Sequence, residues 1–393
     1  MKNNLADKSQ GRPMKTVYVD NNATTPVAPK ALEAMLPYFT SGFYNPSAIS
    51  GRVYSIDASI ARARRTVAEF LGASDAKEVA FTSCATESNN WAIFGVTHAN
   101  PDRQHIITSE VEHPSVLEVC KSLCKNGYHV TFLDVDRDGN LNIDELIDSI
   151  RPDTLLVTLM AANNETGVIF PVDHLSAAVK ERDPNIVFHT DATQYTGKLP
   201  VNLNCAFEHV DLMSFSGHKI HGPKGVGGLF IRKGTSLTPL LYGGNQESGR
   251  RSGTENVSGI IGLAKACELA STNIENMQSV GALRDELEKQ LLELFPSALV
   301  NGGKASRLPN TLNIAFKDMD GETLLHQLSE SRVYASNGSA CSTGSLNYSH
   351  VLSAMGVPYD YIAGSIRFSL SCLNSSKDIK IIVETMKQVK QEI

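Results

Sequence analysis

The stretch Glu78-Val79-Ala80-Phe81-Thr82-Ser83-Cys84-Ala85-Thr86-Glu87-Ser88-Asn89-Asn90-Trp91-Ala92-Ile93-Phe94-Gly95-Val96-Thr97-His98 decides the fold. The apolar run around Val79 to Phe81 is too short for a helix and reads as a buried strand. A turn of small residues follows, and then helical spacing from Glu87 to His98. The same unit repeats downstream, with strands expected at 105–108, 129–133, 155–160 and 186–189 and helices at 115–126, 143–150 and 172–181. Short apolar strands joined by helices are βαβ units, which build a mainly parallel sheet with helices on both faces. In such sheets ligands bind beyond the carboxyl ends of the strands. The residues just after each strand are therefore where chemistry is sought.

Outward from this core, Val17 to Asp20 reads as a strand ended by the turn formers Asn21-Asn22-Ala23-Thr24-Thr25-Pro26, with helices expected at 28–38 and 55–71. On the other side come strands at 210–215 and 226–231 and a largely helical span from 255 to 295. An α+β rhythm completes the chain: strand 311–315, helix 321–331, a Ser/Gly/Asn loop over 336–349, strand 365–370 and helix 378–391. The expected organisation is a leader at 1–15, a large α/β domain at 31–270, and a smaller α+β domain made of 16–30 and 271–393.

A chain with 41% hydrophobic and 20% charged residues has ample material for a globular core, and its net charge of −6 points to neither nucleic acid nor an anionic membrane. Met1 to Lys15 has no apolar h-region, and no stretch of about 18 apolar residues is present to span a bilayer. Seven cysteines (84, 120, 124, 205, 267, 341 and 372) are scattered without a CxxC pair or a metal-ligand spacing. They are expected to be reduced thiols in a cytoplasmic protein, with no metal centre. Asp134-Val135-Asp136-Arg137-Asp138-Gly139-Asn140-Leu141-Asn142-Ile143-Asp144-Glu145 matches a calcium-loop pattern, but Tyr128 to Leu133 reads as a strand where an EF-hand needs a helix. A strand, an acidic turn and a helix start is the simpler expectation, and a calcium-binding regulatory protein is the distant alternative.

Several post-strand residues have chemical potential. Lys219, in Ser214-Phe215-Ser216-Gly217-His218-Lys219, is placed in a Gly-rich loop where an amine can meet an aldehyde. Thr86 suits a phosphate at a helix start or an ordinary N-cap equally well. Asp191 follows a central strand and needs a cationic partner, which a pyridinium nitrogen or a structural ion pair would supply. His113 and Asn164 also fall past strand ends, as site or packing residues. Cys341, in Ser336-Asn337-Gly338-Ser339-Ala340-Cys341-Ser342-Thr343-Gly344, is expected in an exposed loop, better suited to reaction than to packing.

Taken in order, Asp20 to Pro26, Ala85-Thr86-Glu87-Ser88-Asn89-Asn90, Asn163-Asn164-Glu165-Thr166-Gly167, His189-Thr190-Asp191-Ala192-Thr193-Gln194, Ser216 to Lys219, Arg251-Ser252-Gly253-Thr254 and Gly338 to Cys341 resemble the NifS/IscS-type cysteine desulfurases of aminotransferase fold I, class V. The resemblance covers nearly the whole chain. It implies a homodimer using pyridoxal 5'-phosphate to convert L-cysteine to L-alanine, with the sulfur passing as a persulfide on Cys341 to a scaffold or carrier protein. Iron–sulfur cluster assembly, tRNA thiolation or DNA phosphorothioation would consume it. Selenocysteine lyase is the alternative activity.

The resemblance also implies roles. Lys219 would hold the cofactor covalently and move the substrate α-proton. Asp191 would keep the pyridine nitrogen protonated, His113 would stack on the ring as a catalytic group, and Gln194 would bond the phenolic oxygen. Ala85, Thr86, Ser216 and His218 would bind the phosphate, with Thr254 coming from the other subunit. Asn164 would contact cofactor or substrate, and Arg367 would clamp the substrate carboxylate.

Overall fold

A computed structural model describes residues 15–337 and 348–392. Its centre is a seven-stranded sheet in the order Val79–Thr82, Gly227–Ile231, Leu212–Ser216, Val187–Asp191, Thr154–Thr158, His105–Ser109 and His129–Leu133. From Leu212–Ser216 to His129–Leu133 every neighbouring pair is parallel. Gly227–Ile231 runs antiparallel to both of its neighbours. The sheet is thus mixed and mainly parallel, with helices on its faces, as the βαβ rhythm predicts.

Two cores lie on opposite faces of this sheet, and the period-two alternation of each strand divides them. Ile107, Val157, Met213 and Phe230 belong to one core, while their neighbours Ile106, Leu156, Leu212 and Leu229 belong to the other. The first face is covered by the helices Ile56–Leu71, Val172–Arg182 and Val257–Asn273, and the second by Ala85–Ala99 and Pro114–Lys125. Strands buried on both sides leave only their ends to face solvent or a cavity.

A third core gathers Val17 and Val19 with residues from Val280 to Val389. It lies about a three-stranded antiparallel sheet of Leu299–Val300, Thr311–Ala315 and Ser365–Ser369, beside a parallel pair formed by Val17–Tyr18 and Val333–Tyr334. Val351, Leu352 and Met355 pack instead with the larger core. Lys15 is ion-paired to Asp378 at 2.5 Å, and the rest of the expected leader lies outside the described residues.

Local chemistry modifies several expected elements. The helix expected over 28–38 is broken into Pro29–Met35 and Pro37–Thr40, because Pro37 lacks the N–H that would continue the first helix and is suited to start the second. The long helical span is two helices, Val257–Asn273 and Met277–Leu294, joined by a 3-10 turn at Ile274–Asn276. The acidic segment is entered by the strand His129–Leu133, not by a helix. Asp136 accepts the N–H groups of Asp138 and Asn140 there, and Asn142 caps the helix Ile143–Asp148, so strand, turn and helix start account for the calcium-like pattern. Cys84, Cys120, Cys124, Cys205, Cys267 and Cys372 are all unpaired thiols. Among the described residues, no helix is long and apolar enough to cross a membrane.

Candidate active site

The carboxyl ends of the central parallel strands open on a cavity of about 340 Å3. Strand Leu212–Ser216 runs directly into a 3-10 turn at Gly217–Lys219, which replaces the open loop expected there. Gly222 bonds back to Gly217 O, and a Cβ on Gly222 would stand 2.8 Å from that oxygen, so this close return requires glycine. The turn directs Lys219 to the Asn22-Ala23 turn, where its Nζ donates to Asn22 O at 2.6 Å and Ala23 O at 2.8 Å. Both carbonyls come from the turn formers that end the first strand.

Asp191 is the last residue of its strand, not the residue after it, and it is buried. Its Oδ2 accepts from Asn89 Nδ2 at 2.7 Å and its Oδ1 from Thr193 N at 3.0 Å. Neutral donors hold this carboxylate without neutralising it, which leaves it able to serve a cationic ring nitrogen. His113 caps the helix Pro114–Lys125, with Nδ1 accepting from Ser115 N at 3.2 Å, so the neutral ring carries its proton on Nε2. Burial, aided by the charges of Lys219 and His350, lowers the His113 pKa, against the pull of Asp191.

On another side of the cavity the helix Ala85–Ala99 begins at Cys84, which gives no side-chain cap; Thr86 lies inside the first turn and is not the N-cap. The first N–H groups of a helix lack intrahelical partners and suit an anion. Ser216 Oγ is buried without a hydrogen-bond partner. His218 is pushed down to about 4 by burial, with Lys219 and Lys224 adding to the shift, so at neutral pH it offers a polar contact without charge. An orphan hydroxyl and an uncapped helix start in one cavity with Lys219 and Asp191 fit a phosphate, an aldehyde and a pyridine nitrogen, the three handles of pyridoxal phosphate.

Arg367 rises from strand Ser365–Ser369 of the smaller sheet and is also buried. Its Nη2 is paired with Asp20 Oδ1 at 2.6 Å and its Nη1 donates to Asn164 O at 3.0 Å. Nε is buried with no partner, a donor with no acceptor within the described residues. Ala85, Asn164 and Gln194 line the same cavity. Thr254 does not; it lies in a separate cavity of about 140 Å3 with Arg251 and Glu247. Cys341 lies outside the described residues. On its two sides, Ser336 exchanges backbone hydrogen bonds with Arg367, while Ser349 and His350 bond Glu165 Oε2 and Glu112 O.

Sequence reasoning missed Asn22, whose carbonyl receives Lys219, and Asp20, which pairs with Arg367. Their run of turn formers was visible, but its position against two remote segments was not.

The aminotransferase class-V family model matches residues 17–382. The chain belongs to the class-V aminotransferase family. Its class-V relatives include a cysteine desulfurase of Trichormus azollae, 48% identical over 97% of this chain and 94% of that protein. A solved NifS-like protein is 38% identical with a TM-score of 0.90, covering 96% of this chain and all of the other. A structure described as SspA in complex with cysteine is 36% identical with a TM-score of 0.79, covering 90% of this chain and 99% of that one. The family is one of pyridoxal-phosphate-dependent enzymes, and this class-V chain is an enzyme of that kind.

Proposed function

We propose that this protein is a cysteine desulfurase, which takes L-cysteine to L-alanine and passes the sulfur to Cys341 and then to an acceptor protein. The observation that carries the reading is the convergence of Lys219 from the large sheet and Arg367 from the small one on a single cavity that also holds Asp191 and His113. The cysteine desulfurase relatives support the choice of substrate.

Bound pyridoxal phosphate supplies an electron sink for the charge left when the substrate α-proton is removed. In this reading Lys219 Nζ would anchor the cofactor and would carry the proton taken from the substrate α-carbon. Asp191 would keep a proton on the ring nitrogen. His113 and Gln194 would hold the ring, Gln194 through a side-chain N–H. Ala85 and Thr86 at the helix start, with Ser216 and His218, receive the phosphate. Arg367 Nε binds the substrate carboxylate beside Asn164. Cys341 would attack the substrate sulfur as a thiolate. As the new S–S bond forms the substrate Cβ–S bond breaks, its electron pair stays on the carbon side and a proton is taken up to give alanine, and the sulfur remains on Cys341 as a persulfide. The attachment of both flanks of its segment, through Ser336 and His350, to Arg367 and Glu112 supports its arrival at this cavity.

Thr254 would complete the phosphate site of a second subunit, in a cytoplasmic homodimer. Under the proposed division at 16–30 plus 271–393 against 31–270, the cavity would draw residues from two units, with Arg367 supplied by the smaller. Cluster assembly, tRNA thiolation and DNA phosphorothioation are the acceptor pathways in view.

The test is the visible spectrum of the purified protein with and without L-cysteine, joined to alanine release and mass mapping of the persulfide. A cysteine-sensitive visible band, stoichiometric alanine and a +32 Da adduct at Cys341 are expected, about the mass of one sulfur atom. Strong turnover of selenocysteine with almost none of cysteine would move the assignment to a selenocysteine lyase. A persulfide on Cys84 would move the nucleophile.

A further inference from the structure

Lys198 is a buried side chain to which the reading above gives no task. It lies in Gln194-Tyr195-Thr196-Gly197-Lys198, past the end of strand Val187–Asp191, and is only 6% exposed. It does not line the cavity. Its Nζ donates to Gln194 Oε1 at 2.5 Å and to Asn22 Oδ1 at 3.1 Å, two residues that do.

A lysine is seldom buried, because its charged amine is costly to remove from water. Here burial, reinforced by the charges of Lys219 and Arg367, pushes the Lys198 amine well below its ordinary range. The amine meets two acceptors, Gln194 Oε1 and Asn22 Oδ1.

These bonds leave the Gln194 amide one orientation. Its Nε2 donates to Asn22 O at 2.9 Å, a backbone carbonyl that can only accept, so Oε1 must face Lys198. With the carbonyl oxygen and one N–H engaged, the second N–H is the amide's donor for a ligand in the cavity. Asn22 O is also the acceptor that receives Lys219 Nζ. The Asn22 side chain is braced by Lys198, by Asn310 Nδ2 at 3.0 Å and by Thr311 Oγ1 at 2.9 Å. Lys198 thus touches both the amide and the turn that set the geometry around the reactive amine.

We propose that Lys198 is a positioning residue: by donating to Gln194 Oε1 and Asn22 Oδ1 it keeps the Gln194 N–H edge turned towards the bound cofactor and the Asn22 carbonyl at Lys219 Nζ. This rests on pyridoxal phosphate being the ligand of the cavity. A lysine that merely ties two segments together would weaken folding when removed, yet its loss would add independently to the loss of Gln194. A lysine acting through Gln194 would not.

The experiment is a double-mutant cycle on the full-length protein, stripped of cofactor and titrated with pyridoxal phosphate while the visible band is followed. Lys198→Met and Gln194→Ala are each expected to weaken apparent binding about tenfold, and the double variant to lose little more than either alone. Should Lys198→Met fail to fold, the cycle is run with Lys198→Gln, which keeps an N–H donor; its smaller loss should vanish in the Gln194→Ala background. Additive losses, or Lys198→Met binding as tightly as wild type, overturn the inference while leaving the cofactor reading intact. A wild-type protein that gives no saturable visible band removes both.

Discussion

Glu112, one residue before His113, is fully buried, and burial pushes its carboxyl up to about 8, with the Asp191 charge acting in the same direction. Oε1 accepts from Ser109 Oγ and Met160 N, while Oε2 has no donor to stabilise a negative charge there. An unfolded glutamate titrates near 4.5. Between 4.5 and about 8 the folded chain therefore holds a proton that the unfolded chain has released, and stability falls as pH rises through this window. Glu112→Gln removes this titration. Its urea midpoint should vary less between pH 5 and 8 than that of the wild type, with a relative gain on the order of a few kcal/mol by pH 8. Identical pH profiles would show that Glu112 is ionised in the fold. At the same scale, Lys219→Ala should abolish the cofactor linkage that borohydride reduces; a linkage that survives places the reactive amine elsewhere.

At the scale of elements, the segment Gln246–Gly249, beside the cavity that holds Thr254, has two successive non-glycine residues, Glu247 and Ser248, at positive φ. A buried ion pair offsets the cost of this backbone. Glu247 pairs with Arg64 of helix Ile56–Leu71 through two guanidinium nitrogens and accepts from Phe81 N of the edge strand at 3.1 Å. The Arg64 guanidinium also lies 4.6 Å from the centre of the Phe81 ring. Glu247→Ala should cost about 2 kcal/mol, below the value for a fully buried pair because Arg64 retains some solvent. Denaturant unfolding checks the loss, and cofactor affinity should fall with it if this segment also presents Arg251 and Thr254. The helices Ile56–Leu71 and Pro114–Lys125 and the strand His129–Leu133 were legible to within a residue, because apolar periodicity is a property of neighbours. The strands Leu299–Val300 and Val333–Tyr334 were not, since two residues carry no period and owe their conformation to the partners they meet.

Across the whole molecule, apolar side chains that no core accounts for concentrate in one part of the chain. Phe39 (58% exposed), Phe43 (66%) and Ile49 (83%) fall in the same stretch of sequence as the exposed Leu32, Leu36, Val53 and Tyr54, and Tyr242 is exposed further along the chain. A surface of this kind is costly in water unless another molecule covers it. With Thr254 placed outside its own chain's cavity, a second copy of this chain is the proposed cover. Phe39→Asp combined with Ile49→Asp should shift sedimentation from dimer towards monomer and weaken cofactor binding in parallel. A double variant that sediments and binds as wild type does would remove this face from the dimer.

The sequence by itself determined the alternation of strands and helices, the placing of candidate chemistry after the strands, and the family, because each is written in residues close together along the chain. Only the tertiary structure decided which remote residues share a cavity. Lys219 meets a carbonyl 197 residues away, Asp191 an amide 102 residues away, and Arg367 a carboxylate 347 residues away. These pairings follow from strand order and register, which depend on how buried faces pack, and no local pattern encodes them. For the same reason Lys198, one lysine among many in the sequence, acquires its neighbours Gln194 and Asn22 only in the folded chain.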